Sequence, residues 1–288
     1  MVTVKLMGGL GNQMFQYACG RSLSVDLGEE LYLDVSFYDR KHSLDTTPRH
    51  YELHHLNVKG NIIRRCAFSR NAIHFLEIII KKYPYLYPRY VLEQASSYNF
   101  SAIIHQKNLY LDGYWQCEQY FLHNEDLIRQ DFKINSPQSE MNEKWAEKIT
   151  SSPSVCLHVR RGDYVTNTMA NLMHGLSCPE YYHKAIEYIS NKVEKPVFFV
   201  FSDDMIWTKK HISIPYEVHY MDHNSPAQDY EDLRLMTLCK HFIIANSSFS
   251  WWGAWLGTHR DKIIIAPNMW FNDSNLKENI VPSNWVRI

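Results

Sequence analysis

From Ser151 to Ala266 the chain alternates short apolar runs with longer amphipathic ones, and no other feature restricts its possible folds so tightly. The apolar runs are Ser154–Val159, Pro196–Phe201, Glu217–Met221, His241–Ala245 and Lys262–Ala266. Their length and their Val, Ile and Phe content suit strands buried on both faces. Between them, Pro179–Val193, Asp203–His211, Ser225–Lys240 and Phe249–Gly257 read as helices. Ser225-Pro226 gives one of these an N-cap followed by proline at its first position. Such alternation predicts a mostly parallel sheet covered by helices on both faces.

The opening of the chain repeats the theme. Val2–Leu6 reads as a buried strand, Gly8-Gly9-Leu10-Gly11 as a turn, and Asn12–Leu27 as a helix with Met14, Tyr17, Ala18 and Val25 near one face. Gly28 stops that helix and Leu31–Val35 is the next strand. Asp39–Ile104 is less regular and is expected to hold several helices. Asn108–Trp115 reads as a strand and Glu118–Phe132 as a helix. The Asn, Ser and Pro of Ile134–Ser139 mark a boundary, with a helix over Met141–Ile149 beyond it. The expected domains are therefore 1–139 and 140–288, and two α/β domains in tandem favour a ligand in a cleft between them.

Length and composition agree. The 288 residues are comfortable for two domains, and 45% hydrophobic with 21% charged residues describes a globular chain. Thirty basic side chains against thirty-one acidic ones leave a formal net charge of −1. General binding to nucleic acid or to an anionic membrane is therefore disfavoured, and attraction for an anion must be local. The six cysteines lie far apart with no CxxC pair, which suits buried free thiols and offers no zinc spacing. No secretory leader opens the chain, and apolar runs such as Phe75–Ile80 are far shorter than the roughly 20 residues of a membrane helix. The expectation is a cytoplasmic protein, at most peripheral to the inner membrane where glycan precursors are built.

Chemistry concentrates where predicted strands end. His158-Val159-Arg160-Arg161-Gly162-Asp163-Tyr164 leaves the strand over Ser154–Val159, and ligands of open α/β sheets sit at the carboxyl ends of strands. Alternate side chains of an extended segment share a face, so His158 and Arg160 should enter one space and Val159 and Arg161 the other. An imidazole beside a guanidinium can line a nucleotide base and clamp its phosphates. The bland alternative is a solvated basic turn partnered by Asp163. Phe201-Ser202-Asp203-Asp204 ends a second strand. A carboxylate there can accept from the adjacent N–H groups of guanine or cap a helix. The two carboxylates are adjacent in sequence, which argues against a metal-binding Asp-x-Asp.

Asn246-Ser247-Ser248-Phe249-Ser250-Trp251-Trp252-Gly253 ends a third strand. Its hydroxyls and free amides at a helix start form a neutral phosphate cradle, while Phe249 or a tryptophan could face a base or a sugar. Capping and core packing explain the same residues without a ligand. The first glycine turn lacks the third glycine of a dinucleotide fingerprint, because Met14 stands there, although Asp34 lies where an acidic ribose ligand would be sought. What remains is a turn bringing backbone amides, Asn12 and Gln13 to a helix N-terminus, suited to an anion or to sugar hydroxyls.

Together, Gly8 to Tyr17, His158–Tyr164 and Asn246–Trp252 resemble the bacterial α-1,2-fucosyltransferases, a family that includes the animal blood-group H enzymes. The resemblance implies two facing Rossmann-like α/β domains of the GT-B glycosyltransferase type, with the donor held mainly by the C-terminal one. It implies GDP-fucose as donor, inversion at the anomeric carbon, a galactose-terminated oligosaccharide as acceptor, and no metal or other cofactor. By position, Arg160 corresponds to the pyrophosphate ligand with Arg161 in support. His158 and Asp203 correspond to guanine-side residues, and Ser247, Ser248 and Phe249 to donor contacts. Asn12 would face the reacting sugar. Animal members carry a membrane anchor, and none is expected for this chain.

Breaking the fucose–phosphate bond leaves extra negative charge on the diphosphate, and fixed arginines can replace a metal in stabilising it. Asp163 is the candidate base for the acceptor hydroxyl, with Asp34, Asp229 and Glu231 as alternatives. Three rivals stand beside this reading: a nicotinamide-dependent oxidoreductase using the glycine turn, a sugar-binding protein motivated by 14% aromatics, and a transferase of another nucleotide sugar.

Overall fold

The computed structural model describes residues 1–39, 49–64, 78–79, 83, 89–93, 106–162, 177–272 and 278–288. They form two compact units, Met1–Asn135 and Ser136–Ile288.

In the first unit the described strands are β1 (Val2–Lys5), β2 (Leu31–Asp34), β3 (Asn61–Ile63), β4 (Tyr90–Leu92) and β5 (Leu109–Asp112). They lie in the order β3-β2-β1-β5-β4, every neighbouring pair parallel. Helix α1 (Leu10–Asp26) covers β1 so closely that a side chain at Gly20 would collide with Val4. This explains a glycine inside a helix, where it costs about 1 kcal/mol relative to alanine. Met14, Tyr17 and Ala18 are buried as expected, but Val25, in the last turn of the helix, is 43% exposed. The helix expected over Glu118–Phe132 is instead two short 3-10 turns, Glu118–Tyr120 and Leu122–Asn124, followed by α2 (Glu125–Asp131). Phe121 interrupts it: its backbone leaves helical geometry (φ −142°, ψ 0°) and its ring is fully buried.

The second unit begins with α3 (Glu140–Ser151), capped by the Ser139 hydroxyl, and carries six parallel strands. These are β6 (Ser154–Val159), β7 (Val197–Ser202), β8 (Val218–Met221), β9 (His241–Ile243), β10 (Ile264–Ala266) and β11 (Val286–Arg287), ordered β11-β10-β9-β6-β7-β8. Every residue of β6 is buried, the polar Ser154 and His158 included. On one face Val155, Leu157 and Val159 meet Tyr182, Ala185 and Ile189 of α4 (Pro179–Ser190). Ser225 and Gln228 form a capping box with Pro226 at the first position of a 3-10 turn that runs into α6 (Asp229–Thr237); α5 (Met205–His211) follows β7. Helix α7 (Ser248–Leu256) buries Trp251, Trp252 and Trp255; the Trp251 ring lies 5.4 Å from that of Trp285. The indole N–H of Trp251 donates to the Ile280 carbonyl at 2.7 Å. Among the described residues no helix is long and apolar enough to cross a membrane.

Candidate active site

In the second unit the chain runs from β6 outward to β7 and β8, then returns to place β9 on the other side of β6. The carboxyl ends of β6 and β9 flank this reversal, the position at which open α/β sheets bind ligands. His158–Gly162 leaves β6 there, Ser247–Phe249 follows β9, and Asp203-Asp204 follows β7.

The alternation along β6 has the expected consequence. Val159 belongs to the core under α4, and His158 points to the opposite side, where its ring lies 5.8 Å from that of Phe249. His158 is buried, and its Nδ1 has no hydrogen-bond partner among the described residues. Burial pushes the imidazole pKa down to about 4; the Asp203 charge opposes this and the Arg160 charge adds to it. The ring is therefore neutral near pH 7 and can hydrogen-bond a neutral base edge or hydroxyl.

Asp203 organises the loop beyond. Its Oδ2 lies 3.0 Å from Nη1 of Arg160, and its Oδ1 accepts the backbone N–H of Arg161 at 2.8 Å. A Cβ on Gly162 would stand 2.5 Å from the same Oδ2, so glycine at that position lets the carboxylate approach. Both Asp203 oxygens are thus engaged within the loop. The helix cap is its neighbour: Asp204 Oδ1 accepts from the Trp207 N–H at 3.1 Å. Arg161 is partnered by the next carboxylate, Asp204. Its Nε lies 3.2 Å from Asp204 Oδ2, and its guanidinium carbon is 3.8 Å from the centre of the Trp207 ring. Asp163, the candidate base, lies outside the described residues.

After β9, Ser247 is the N-cap of α7 and Ser248 its first residue, so the helix presents first-turn amide groups at the sheet edge. Asn246 is buried behind them, donating to the Trp270 carbonyl at 3.3 Å. Trp251 and Trp252 are fully buried core residues, which leaves Phe249 as the aromatic of this motif beside His158.

In the first unit α1 begins at Leu10, earlier than the sequence suggested, so Asn12 lies within its first turn. Gln116 Nε2 donates to Asn12 Oδ1 at 2.8 Å. Gln13, read as a ligand-facing side chain, is fully buried and structural. Its Nε2 donates to the carbonyls of Gly8 and His50, at 3.1 and 2.7 Å, and its Oε1 accepts from the Glu52 N–H. Among the described residues no group of three or more His, Cys, Asp or Glu is placed to hold a metal ion.

One carboxylate escaped the sequence reading. Asp232, near the start of α6, has its pKa raised to about 6 by burial, relieved by a hydrogen bond from Asn224 and reinforced by Asp229 and Glu231. Its charge reaches the Cys156 thiol, which shares a strand face with His158. Nothing in the acidic run Asp229–Asp232 distinguishes this member from a solvated one.

The profile of glycosyl transferase family 11 matches residues 1–288. The chain belongs to glycosyl transferase family 11. This family 11 chain is 36% identical over 303 residues to an α-1,2-colitosyltransferase of Escherichia coli, with 100% of this chain and 99% of that protein covered. It is 25% identical over 299 residues to the mouse galactoside 2-α-L-fucosyltransferase Sec1, covering 100% of this chain and 74% of the relative. Among solved structures, the fucosyltransferase NodZ from Bradyrhizobium is similar in fold, with a TM-score of 0.53 at 16% identity over 88% of this chain and 90% of NodZ. The chain is thus a glycosyltransferase with two parallel α/β sheets, as its motifs implied.

Proposed function

We propose that this glycosyltransferase moves L-fucose from GDP-fucose to the 2-hydroxyl of a terminal β-galactoside, inverting the anomeric carbon and using no metal ion. The observation that carries the reading is the oriented Arg160 guanidinium beside a buried neutral His158 at the switch point of the second sheet. In this reading the neutral imidazole and Phe249 line the guanine. Arg160 takes the diphosphate with its planar fork, and Ser247, Ser248 and the first turn of α7 hold phosphate oxygens. As the bond to fucose breaks, charge grows on the diphosphate, and a guanidinium already held by Asp203 stabilises it with little reorganisation. Asp203 is then a positioning residue for Arg160, Arg161 supports the loop, and Asp163 remains the candidate base for the acceptor hydroxyl. Asn12 is assigned to a sugar hydroxyl. A cytoplasmic site of action belongs to the same reading.

A second donor is favoured by the relative of 36% identity, whose name specifies colitose, a fucose lacking the 3-hydroxyl. The experiment offers GDP-fucose and GDP-colitose separately to a panel of β-galactosides, reading GDP release, product mass and the NMR linkage. Fucose on O2 of galactose is the expected product. Efficient transfer of colitose alone replaces the donor, and a linkage to O3, O4 or GlcNAc overturns the acceptor assignment.

A further inference from the structure

The first unit has a switch point of its own, because β1 lies between β2 and β5. Residues 113–117 leave the carboxyl end of β5 there, beside the glycine turn that leaves β1.

The loop after β5 is held in one shape. A side chain on Gly113 would collide with Glu93, just after β4, and would stand 3.1 Å from the indole of Trp115. Glycine there lets Glu93 Oε2 accept the N–H groups of Tyr114 and Trp115 at 2.7 and 2.9 Å. Trp115 adopts φ +54°, a left-handed conformation unfavourable for a bulky aromatic residue. It is buried, and its indole N–H has no hydrogen-bond partner among the described residues. Backbone strain and an unpaired buried donor both destabilise a fold, and such strain clusters at functional sites.

What this loop presents is Tyr114. The residue is 44% exposed, and its hydroxyl has no hydrogen-bond partner among the described residues. The phenol is nonetheless crowded: burial, then the charges of Asp112 and Glu93, push its pKa above the ordinary value. A side chain open to solvent and closely surrounded at once lines a recess. Tyr38, whose hydroxyl donates to the Gly8 carbonyl at 3.1 Å, is near enough to feel a charge on Tyr114. The Arg49 guanidinium lies along Gly9, its atoms 3.6 to 3.8 Å from where a Cβ would stand. Two phenol rings and a guanidinium around a glycine turn give the aromatic lining with few polar groups that small-molecule sites use.

We infer that Tyr114 is a specificity-determining residue for the acceptor, its ring stacking on the apolar face of a terminal β-galactose. The axial 4-hydroxyl of galactose leaves the C–H groups of C3, C4 and C5 together on one face, and the electron-rich face of a phenol ring suits them. This rests on the proposed reading in which a β-galactoside is the acceptor.

The test separates the ring from the hydroxyl and the acceptor from the donor. With lactose as acceptor, Tyr114→Ala should raise KM about 10- to 100-fold, whereas Tyr114→Phe, which keeps the ring, should stay within about threefold of the wild type. GDP-fucose affinity by calorimetry and the melting temperature should be unchanged in both. A merely structural tyrosine would lower kcat and the melting temperature at constant KM, and that pattern overturns the inference. A phenylalanine variant as impaired as the alanine one overturns it too, by placing the role on the hydroxyl. A second readout needs no transfer. In NMR spectra of methyl β-galactoside with the GDP-loaded protein, the ring protons on C3, C4 and C5 should move upfield under the ring current of Tyr114 or of phenylalanine, and not with Tyr114→Ala. Methyl β-glucoside, whose 4-hydroxyl is equatorial, should respond far less. Equal responses to the two sugars, or no Tyr114-dependent shift, overturn the inference even if fucose is transferred. The shift in a protein that fucosylates no galactoside would sink the proposed function while leaving Tyr114 as a galactose-stacking residue.

Discussion

Asp203 fixes the Arg160 guanidinium: its carboxylate lies 3.0 Å from Nη1, in a pair whose side chains are only 22% and 25% exposed. Because the same carboxylate grips the backbone N–H of Arg161, it fixes both the direction of one arginine and the course of the loop carrying the other.

Asp203→Asn should therefore lower kcat about 10- to 100-fold and weaken GDP, ADP and UDP by similar factors, since it loosens a phosphate ligand. Isothermal calorimetry with the three nucleotides decides this. Weakening confined to GDP would instead restore the guanine-edge role to Asp203.

The two arginines should respond differently to lysine. Arg160→Lys keeps the charge but loses the fork, and a fall of about 10²–10³ in turnover is expected, with a smaller loss of donor affinity. Arg161→Lys gives up its position over Trp207 and part of its pairing with Asp204, contacts worth about 0.5–2 kcal/mol. Its effect should register mainly as lowered thermal stability, shared by Trp207→Ala. A dead Arg161→Lys beside an active Arg160→Lys would reverse these roles.

His158 should leave a signature in stability against pH. Its pKa falls from 6.5 unfolded to about 4 folded, so in that window the unfolded chain binds more protons. The stability it contributes is complete above pH 6.5 and is lost as pH falls toward 4. Asp232 works the other way: raised from 3.8 to about 6, it contributes stability at low pH that is lost as pH rises through 6. The informative quantity is thus the difference between the wild type and His158→Gln. Denaturant titrations should find the wild type losing about 2–3 kcal/mol relative to the variant between pH 7 and pH 4. A constant difference would mean that the imidazole is not buried as described.

Transfer should persist in excess EDTA, since the charge growing on the diphosphate is assigned to Arg160 and the first turn of α7. Activity that collapses on chelation and returns with manganese would overturn the metal-free reading.

The second sheet was legible because strands buried on both faces announce themselves as mostly apolar runs, and Ser154–Val159, with His158 as its one charged-type residue, coincides with β6 from end to end. β3, β4 and β11 were not. They are two or three residues long, without a fully buried residue among them, and pairing with a neighbour maintains them where their own pattern does not. A period of two assigns Arg160 and Arg161 to opposite sides, and in the structure they pair with different carboxylates, Asp203 and Asp204. It gave no means of telling that Asp204 and not Asp203 caps α5, or which arginine each carboxylate holds. Asp232 and Gln116 were invisible for a related reason, since their surroundings are assembled from segments 76 and 104 positions away, at Cys156 and Asn12.

Of the eight tryptophans, Trp115 alone falls in Met1–Asn135, and the other seven, including the stacked Trp251 and Trp255, fall in Ser136–Ile288. The molecule is in effect labelled on one side. Indole fluorescence during unfolding reports almost entirely on Ser136–Ile288, whereas far-ultraviolet dichroism samples both units. Two coincident curves would mean that the units melt as one cooperative body, and a fluorescence midpoint displaced from the dichroism midpoint would measure their independence without a single engineered probe.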